Sequence, residues 1–322
     1  MKPRHLLATL AAAAAMTFAG AAQAADLPCR TAKLIVPWGA GGGTDVIFRT
    51  FVEAVNKTGT KPQIQVVNIG GQGGNKGAKE ARKAKNDGCT LFAIHQSAIT
   101  SYFNGRVNFS WEAFEPVALL TRTPAIFGAN ADVPYSNLKQ LIAAAKAAPN
   151  TITAGGTLGS TSHFVFLLLE DATGIKFKHV SYDGTRQRMT ALLAKNIQVG
   201  EINLAAAKKY IQANELKALG ITTPTRNSEI PNVGTAREQG VDMIYGTDRG
   251  VVLPKGASAD VIAHYAEVFK KAAMDPAVIA AMAGKGTQVN YLGPKEYTDY
   301  FQSTFTKWKS IAKKVGMYKQ KD

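Results

Sequence analysis

LIVPWGAGGGTD, residues 34–45, joins a short branched apolar run to a glycine-rich turn and opens at Asp45 on an amphipathic stretch. Leu34–Val36 has the composition of a buried strand, and Asp45 to about Asn56 reads as a helix. The same grammar returns at TITAGGTLGSTSH, residues 151–163. There the strand-like Thr151–Ala154 enters a Gly/Ser-rich turn and then a helix from Ser162 to Ala172. In a parallel sheet both turns lie at the carboxyl ends of strands, where open α/β folds bind ligands. Each presents backbone N–H groups at a helix N-terminus, where the dipole favours an anion. Glycine lets a ligand approach the main chain and lets the turn adopt positive φ. Two such turns in two separate blocks point to an anion held between facing lobes.

Outward from these turns, strand-like and helical runs alternate. Gln63–Asn68, Thr90–Ile94 and Pro116–Leu120 read as strands, with a basic amphipathic helix from Asn75 to Lys85. A second block starts near Thr123, with strands at Ala125–Ala129, His179–Ser181, Ile197–Asn203 and Lys217–Thr222. Its helices are expected at Ser136–Ala148 and Thr185–Lys195. The pattern predicts an α/β protein of two lobes, each a mostly parallel sheet flanked by helices. The C-terminal part reads as helical over Asp260–Ala273, Pro276–Ala283 and Pro294–Val315. In the last of these Tyr297, Tyr300, Phe301, Phe305, Trp308, Ile311 and Val315 form one apolar stripe, a packing face.

The 322 residues are 46% hydrophobic and 19% charged, with a formal charge of +15, which excludes a disordered or low-complexity chain. The length suits two cores. Lys2, Arg4 and His5 precede an Ala-rich apolar run ending in Ala22-Gln23-Ala24, the pattern of a secretory signal peptide (1–24) cut after Ala24. Its loss lowers the charge from +15 to +13, and the mature protein is expected to be exported. Cys29 and Cys89 precede two strand-like runs. If those strands are parallel neighbours, a disulfide is within reach, and an oxidising compartment favours it over two free thiols. His95, His163, His179 and His264 show no ligand spacing, so no metal is expected.

The first turn lacks the ending of a P-loop and does not fit G-x-G-x-x-G, which disfavours nucleotides. The second lacks G-x-S-x-G. Ser160 or Ser162 beside His163 could pair as nucleophile and base, but neighbours on one turn suit helix capping better. No cofactor is indicated, and a carboxylate fits both turns. Gln96 and Ser97, after the strand Thr90–Ile94, are candidates to line the same cleft; His95 reads as buried structure.

The chain resembles the extracytoplasmic solute receptors of tripartite tricarboxylate transporters, the Bug family. The resemblance rests on Leu34–Pro37 with Gly41–Asp45, on the Gly-Gly-x-Gly-Gly-Asn core within Asn68–Gly77, and on Asp87-Gly88-x-Thr90-Leu91. It continues through Gly156–His163, Val180–Gly184, Leu216–Leu219, Arg226, Thr235-x-x-Glu238-x-Gly240 and Pro254–Gly256, covering essentially the whole mature chain. It implies a two-lobed periplasmic-binding-protein fold (type II-like) that closes on a small mono-, di- or tricarboxylate and delivers it to membrane permease subunits. Crossings between lobes are implied near Thr123–Ala125 and Gly246–Val252. That divides the chain into 25–124 with 249–322 as lobe one, and 125–248 as lobe two.

The resemblance further implies that Trp38, Gly42, Gly43, Thr44 and Asp45, and Gly159, Ser160, Thr161 and His163, hold a ligand carboxylate, partly through water. The chain also departs from the family. Pro37-Trp38 stands for the usual Pro-Phe, Tyr182-Asp183-Gly184 for Tyr-Lys-Gly, Gly234 for a proline, and Asp248-Arg249 for an aromatic before Gly250. Tyr182, Asp183 and Arg249 therefore join the candidate site. Arg249 would offer a cation to a second carboxylate or simply pair with Asp248; Asp183 or Asp248 would read an amino group. The expected protein is a periplasmic, monomeric receptor and not an enzyme, the alternative being a periplasmic enzyme acting on a carboxylate. The basic residues are dispersed, without a nucleic-acid motif, so neither nucleic acid nor an anionic membrane is the expected partner. The surplus charge would steer acids to the cleft.

Overall fold

The computed structural model describes residues 27–320; the signal segment and its cleavage site lie outside the described residues. The chain begins β1 (Thr31–Val36), α1 (Gly43–Lys57), β2 (Gln63–Asn68), α2 (Asn75–Lys83), β3 (Thr90–His95), α3 (Ser97–Phe103) and β4 (Phe114–Pro124). A second run follows: β5 (Ile126–Asn130), α4 (Leu138–Ala147), β6 (Thr153–Gly156), α5 (Thr161–Thr173), β7 (Lys178–Ser181), α6 (Thr185–Leu193), β8 (Val199–Ile202), α7 (Leu204–Gln212) and β9 (Leu216–Ile221). The chain returns through β10 (Gly246–Pro254), α8 (Ala259–Met274), α9 (Pro276–Ala283), β11 (Gln288–Leu292) and α10 (Pro294–Lys314).

These elements make two sheets, ordered β11-β4-β10-β3-β1-β2 and β7-β6-β8-β5-β9. The two-lobed α/β architecture is as expected, but the sheets are mixed rather than mostly parallel. β1 pairs parallel with β2 and β3, and β6 parallel with β7 and β8. The strands beside the crossings break that pattern. β10 re-enters the first sheet against the direction of β3 and β4, and β5 opens the second sheet antiparallel to β8 and β9. Gly246–Asp248, assigned by the sequence to the second lobe, pair with Arg122–Pro124 in the first sheet. The helical reading of the C-terminal part also omits β11, which lies on the edge of that sheet against β4.

Both sheets are buried on two faces, as strands such as β5 show. Ile126 joins a core with Met189, Leu192 and Ala207 beneath α6 and α7, while Phe127 faces Leu138 and Phe164 under α4 and α5. Successive side chains of a strand point to opposite faces, so a run apolar at every position has helices above and below. The apolar stripe of α10 packs as read: Tyr297, Phe301 and Trp308 are buried, and Tyr300, Phe305, Ile311 and Val315 lean on the same core. Trp308 reaches the second lobe, stacking on Tyr245 with centroids 5.6 Å apart and touching Phe164 at 5.0 Å.

Cys29 and Cys89 form a disulfide, their Cα atoms 5.9 Å apart. The cause is the parallel pairing of β1 and β3, in which Lys33 N donates to the Cys89 carbonyl and the strand entries sit together. Closing a 60-residue separation stabilises by about 4 kcal/mol on the loop-entropy account.

Candidate functional site

The first turn is built around a carboxylate. Gly41 takes φ +76°, Gly42 N donates to the Gly39 carbonyl at 3.2 Å, and Gly41 N donates to Asp45 Oδ2 at 2.8 Å. Asp45 Oδ1 accepts from Asn68 Nδ2 at 2.8 Å and from Arg49 Nε at 3.0 Å. Burial opposes its charge, yet the bonds from Arg49, Gly41 and Asn68 outweigh that and hold its pKa below the ordinary carboxylate value. Asp45 therefore holds the turn from behind.

The second turn uses a similar internal frame. Gly159 takes φ +73° and its N–H donates to His163 Nδ1 at 3.3 Å, while Thr157 N donates to Ser162 Oγ at 2.9 Å. A third strand-to-helix turn docks on the second: Gly184, at φ +98°, donates its N–H to Thr157 Oγ1 at 3.0 Å.

These turns meet in a partly open cavity between the sheets, with about 40 Å³ of room for the centres of water molecules. By the scale of roughly 10–15 Å³ per water, that holds a few waters or a few ligand atoms. Four helices begin on its wall: α1 at Gly43, α5 at Thr161, α6 at Thr185 and α7 after Asn203. None of the four has a side-chain cap on its N-terminus. Their first-turn N–H groups have no intrahelical acceptor, and each terminus carries roughly half a positive charge.

Arg249 adds a full charge. It is only 4% exposed; Nε donates to Thr44 Oγ1 at 3.0 Å and Nη1 to Thr123 Oγ1 at 2.7 Å and the Thr247 carbonyl at 3.3 Å. Burial pulls its pKa down to about 10, which leaves it protonated at neutral pH. It does not pair with Asp248, because adjacent strand residues face opposite ways. Asp248 points to the reverse side of β10, where Arg122 donates to both its oxygens at 2.6 and 2.8 Å and the Tyr300 hydroxyl at 2.6 Å.

Trp38 and His95 form one wall, their rings stacked with centroids 5.3 Å apart. His95 Nδ1 accepts from Ser97 N at 3.2 Å, which assigns the ring proton to Nε2. Burial, reinforced by Arg249, holds the pKa of His95 well below its ordinary value, so the ring is a neutral donor. The sequence reading of His95 as structure alone thus needs extending, since the ring is both buried and on the cavity wall.

The opposite wall carries a buried ion pair between Arg188 and Glu201. Arg188, 1% exposed, also donates to Ser162 Oγ and Thr185 Oγ1, each at 3.3 Å, tying the starts of α5 and α6 to β8. Asp183 Oδ1 accepts from Gly73 N at 2.9 Å, and Arg186 Nη1 donates to the Ala40 carbonyl at 3.2 Å. These two bonds join the lobes beside the cavity, while the Tyr245 hydroxyl, donating to the Thr161 carbonyl at 3.0 Å, braces the start of α5 within the second lobe.

Of the candidate residues, Trp38, Gly42, Gly43, Thr44, Ser160, Thr161, Asp183 and Arg249 line this cavity. The others stand off it for identifiable reasons. Asp45 is engaged within its own turn, and Gly159 and His163 bond each other beneath the second turn. Tyr182 lines an outer vestibule of about 780 Å³ that shares Gly39, Asp183 and Arg186 with the cavity. Gln96 faces the reverse side of β10, donating to Asp248 Oδ2 at 3.0 Å, and Ser97 opens α3 behind His95. The reading passed over Arg188, Glu201, Asn203 and Thr247. A signal existed for Asn203, which ends the expected strand Ile197–Asn203 and so stands at a carboxyl end.

The sequence profile described as a tripartite tricarboxylate transporter family receptor matches residues 47–317. The UPF0065 protein in the TAR-I ttuE-ttuC' intergenic region of Agrobacterium vitis is 32% identical over 272 residues, 83% of this chain and 78% of that one. Protein BugT of Bordetella pertussis is 26% identical over 323 residues, 98% of this chain and 99% of its own. Among solved structures, the periplasmic binding protein BugD superposes with a TM-score of 0.84 at 26% identity, over 90% of this chain and 99% of that one.

Proposed function

The chain belongs to the tripartite tricarboxylate transporter receptor family, and from that premise we propose that it captures a small organic carboxylate between its lobes and delivers it to the membrane subunits of such a transporter. It is a solute-binding receptor and not an enzyme. The observation that carries the carboxylate reading is the meeting of four uncapped helix starts and buried Arg249 on one small cavity. Hydrogen bonds to a charged group contribute about 1.5–3 kcal/mol each, so a few of them offset the several kcal/mol of desolvating a carboxylate.

The binding set in this reading is the Gly42–Thr44 turn, Ser160 and Thr161, with Arg249 and the Nε2–H of His95 as the charged and neutral side-chain donors. Asp45, Gly159 and His163 act one layer back by fixing the turns that present those N–H groups. Lobe one, 25–124 with 246–322, and lobe two, 125–245, close about the crossings, and Asp183–Gly73 and Arg186–Ala40 are bonds of the closed form. Waters trapped with the ligand serve as adaptable partners at little energetic disadvantage. The export reading rests on the Met1–Ala24 pattern and is supported by the disulfide. We take the working form to be a monomer whose charge of +13 speeds acid capture.

Identifying the small molecules released on denaturing the purified protein, followed by thermal-shift screening of mono-, di- and tricarboxylates, tests the proposal. A bound acid raises the melting temperature by mass action. Absence of any shift across the three classes would remove the carboxylate reading.

A further inference from the structure

Glu201 is out of keeping with a wall built of donors. It is 7% exposed, lies on the cavity wall at the end of β8, and bonds Arg188 through Oε2. Oε1 has no hydrogen-bond partner among the described residues. Two positions on, Asn203 is 2% exposed, and its Oδ1 is buried without a partner. Asn203 stands at the N-cap of α7 without capping it, and it packs on the start of α1: a Cβ added to Gly43 would lie 2.5 Å from Asn203 Oδ1. Across the cavity, Arg249 lies close enough to Glu201 for their charges to interact.

Burying an amide oxygen without a partner is costly, and the unpaired Oε1 beside it on the cavity wall is free to accept. Arg188 is fully engaged with Glu201, Ser162 and Thr185 and has no role in filling Oε1. A plain carboxylate, which only accepts, would satisfy the helix starts and Arg249 while leaving this corner empty. We propose that the bound acid carries a hydrogen-bond donor, a hydroxyl or an ammonium, on the carbon chain beside its carboxylate, and that Glu201 and Asn203 receive it. This rests on the carboxylate reading above and narrows it to hydroxy and amino acids. Arg188 is then a positioning residue that holds Glu201 at the corner and touches no ligand.

The test uses two matched series, propionate, lactate and alanine, and succinate, malate and aspartate, titrated calorimetrically into the full mature protein. In at least one series the hydroxy or amino member binds the wild type roughly tenfold or more tightly than its unsubstituted parent. Glu201→Gln shrinks that ratio, more for an ammonium than for a hydroxyl, because it removes charge as well as an acceptor. Should Glu201→Gln fail to fold with Arg188 left unpaired, Asn203→Ala, which keeps the ion pair, decides by the same ratio. Parents binding as tightly as their substituted partners, or a ratio unmoved in the folded variant, overturns the inference while the carboxylate reading stands. If no member of either series binds, the inference falls, and the carboxylate reading is decided separately by the wider screen of mono-, di- and tricarboxylates.

Discussion

Two sets of helix starts in this molecule are finished differently. At α4, α8 and α9 a side chain caps the first turn: Asn137 accepts from Gln140 N, Ser258 from Val261 N and Asp275 from Ala277 N. Among the described residues no side chain does so at the other seven; α2, α3 and α10 start elsewhere, while α1, α5, α6 and α7, two of them preceded by the readily capping Ser160 and Asn203, converge on the cavity. A cap is worth about 1 kcal/mol to a fold. At α5 and α7, where Ser160 and Asn203 could cap, the missing caps beside a buried arginine forgo local stability and leave first-turn N–H donors without a side-chain partner. The two sides of β10 teach the same distinction. Asp248, on the reverse side, is saturated by Arg122, Gln96 and Tyr300; Arg249, on the cavity side, is held by two hydroxyls and a carbonyl and faces no carboxylate in direct contact.

The comparison breaks most readily at the contact between α1 and α7. Gly43→Val would place a branched side chain against Asn203, blocking closure and weakening the affinity for the released ligand by roughly a hundredfold. The ligand-free melting temperature should barely move, since the open lobes avoid the clash; an equal loss of both would mean that the lobes do not separate. Next come the two arginines on opposite sides of the sheet at β10, Arg249 on β10 itself and Arg122 on β4. Arg249→Met should cost roughly tenfold to a hundredfold in affinity while leaving the ligand-free melting temperature unchanged or raised, because an incompletely paired buried charge is removed. Arg122→Met should do the reverse, leaving affinity near wild type and lowering stability by about 1–3 kcal/mol as Asp248 loses its partner. Parallel effects from both would dissolve the distinction.

A smaller effect is expected at a capped start. Asp275→Ala should cost about 1 kcal/mol in chemical denaturation and nothing in affinity. The smallest is a slope. Burial, and then neighbouring His179, hold His163 at about 4, below its ordinary value, so the unfolded chain binds its proton first as pH falls. Its stabilising contribution is present above the unfolded pKa and fades between about pH 6.5 and 4. His163→Gln should flatten that part of the stability–pH curve; an unchanged curve would place the acid sensitivity elsewhere.

Much of the fold was readable because its causes are local. The turns at Trp38–Asp45 and Gly156–His163 declare themselves by glycines that only a positive φ or a close approach requires, next to a strand and a helix start. The α10 stripe shows because its period is that of a helix. By contrast, β10 escapes such a reading: Gly-Thr-Asp-Arg-Gly has the composition of a loop, and it is a strand because β3 and β4 flank it. β11 lies on the sheet edge with mixed burial, and α3 and α7 are short helices set by what they pack on. Behind the site, nothing near Asp248 in sequence reveals that its partner is Arg122, 126 residues away.

The residues alone determined an α/β chain of two lobes with two glycine-rich strand-to-helix turns, because strand period, helix starts and glycine turns are properties of neighbours along the chain. Only the tertiary structure decided which groups share the cavity. It brought Glu201 and Asn203 opposite Arg249, turned Asp248 away, and moved Asp45 and His163 behind the turns they support. Those outcomes depend on strand order and on which face of a sheet a side chain meets, and both are settled by burial between elements far apart in sequence.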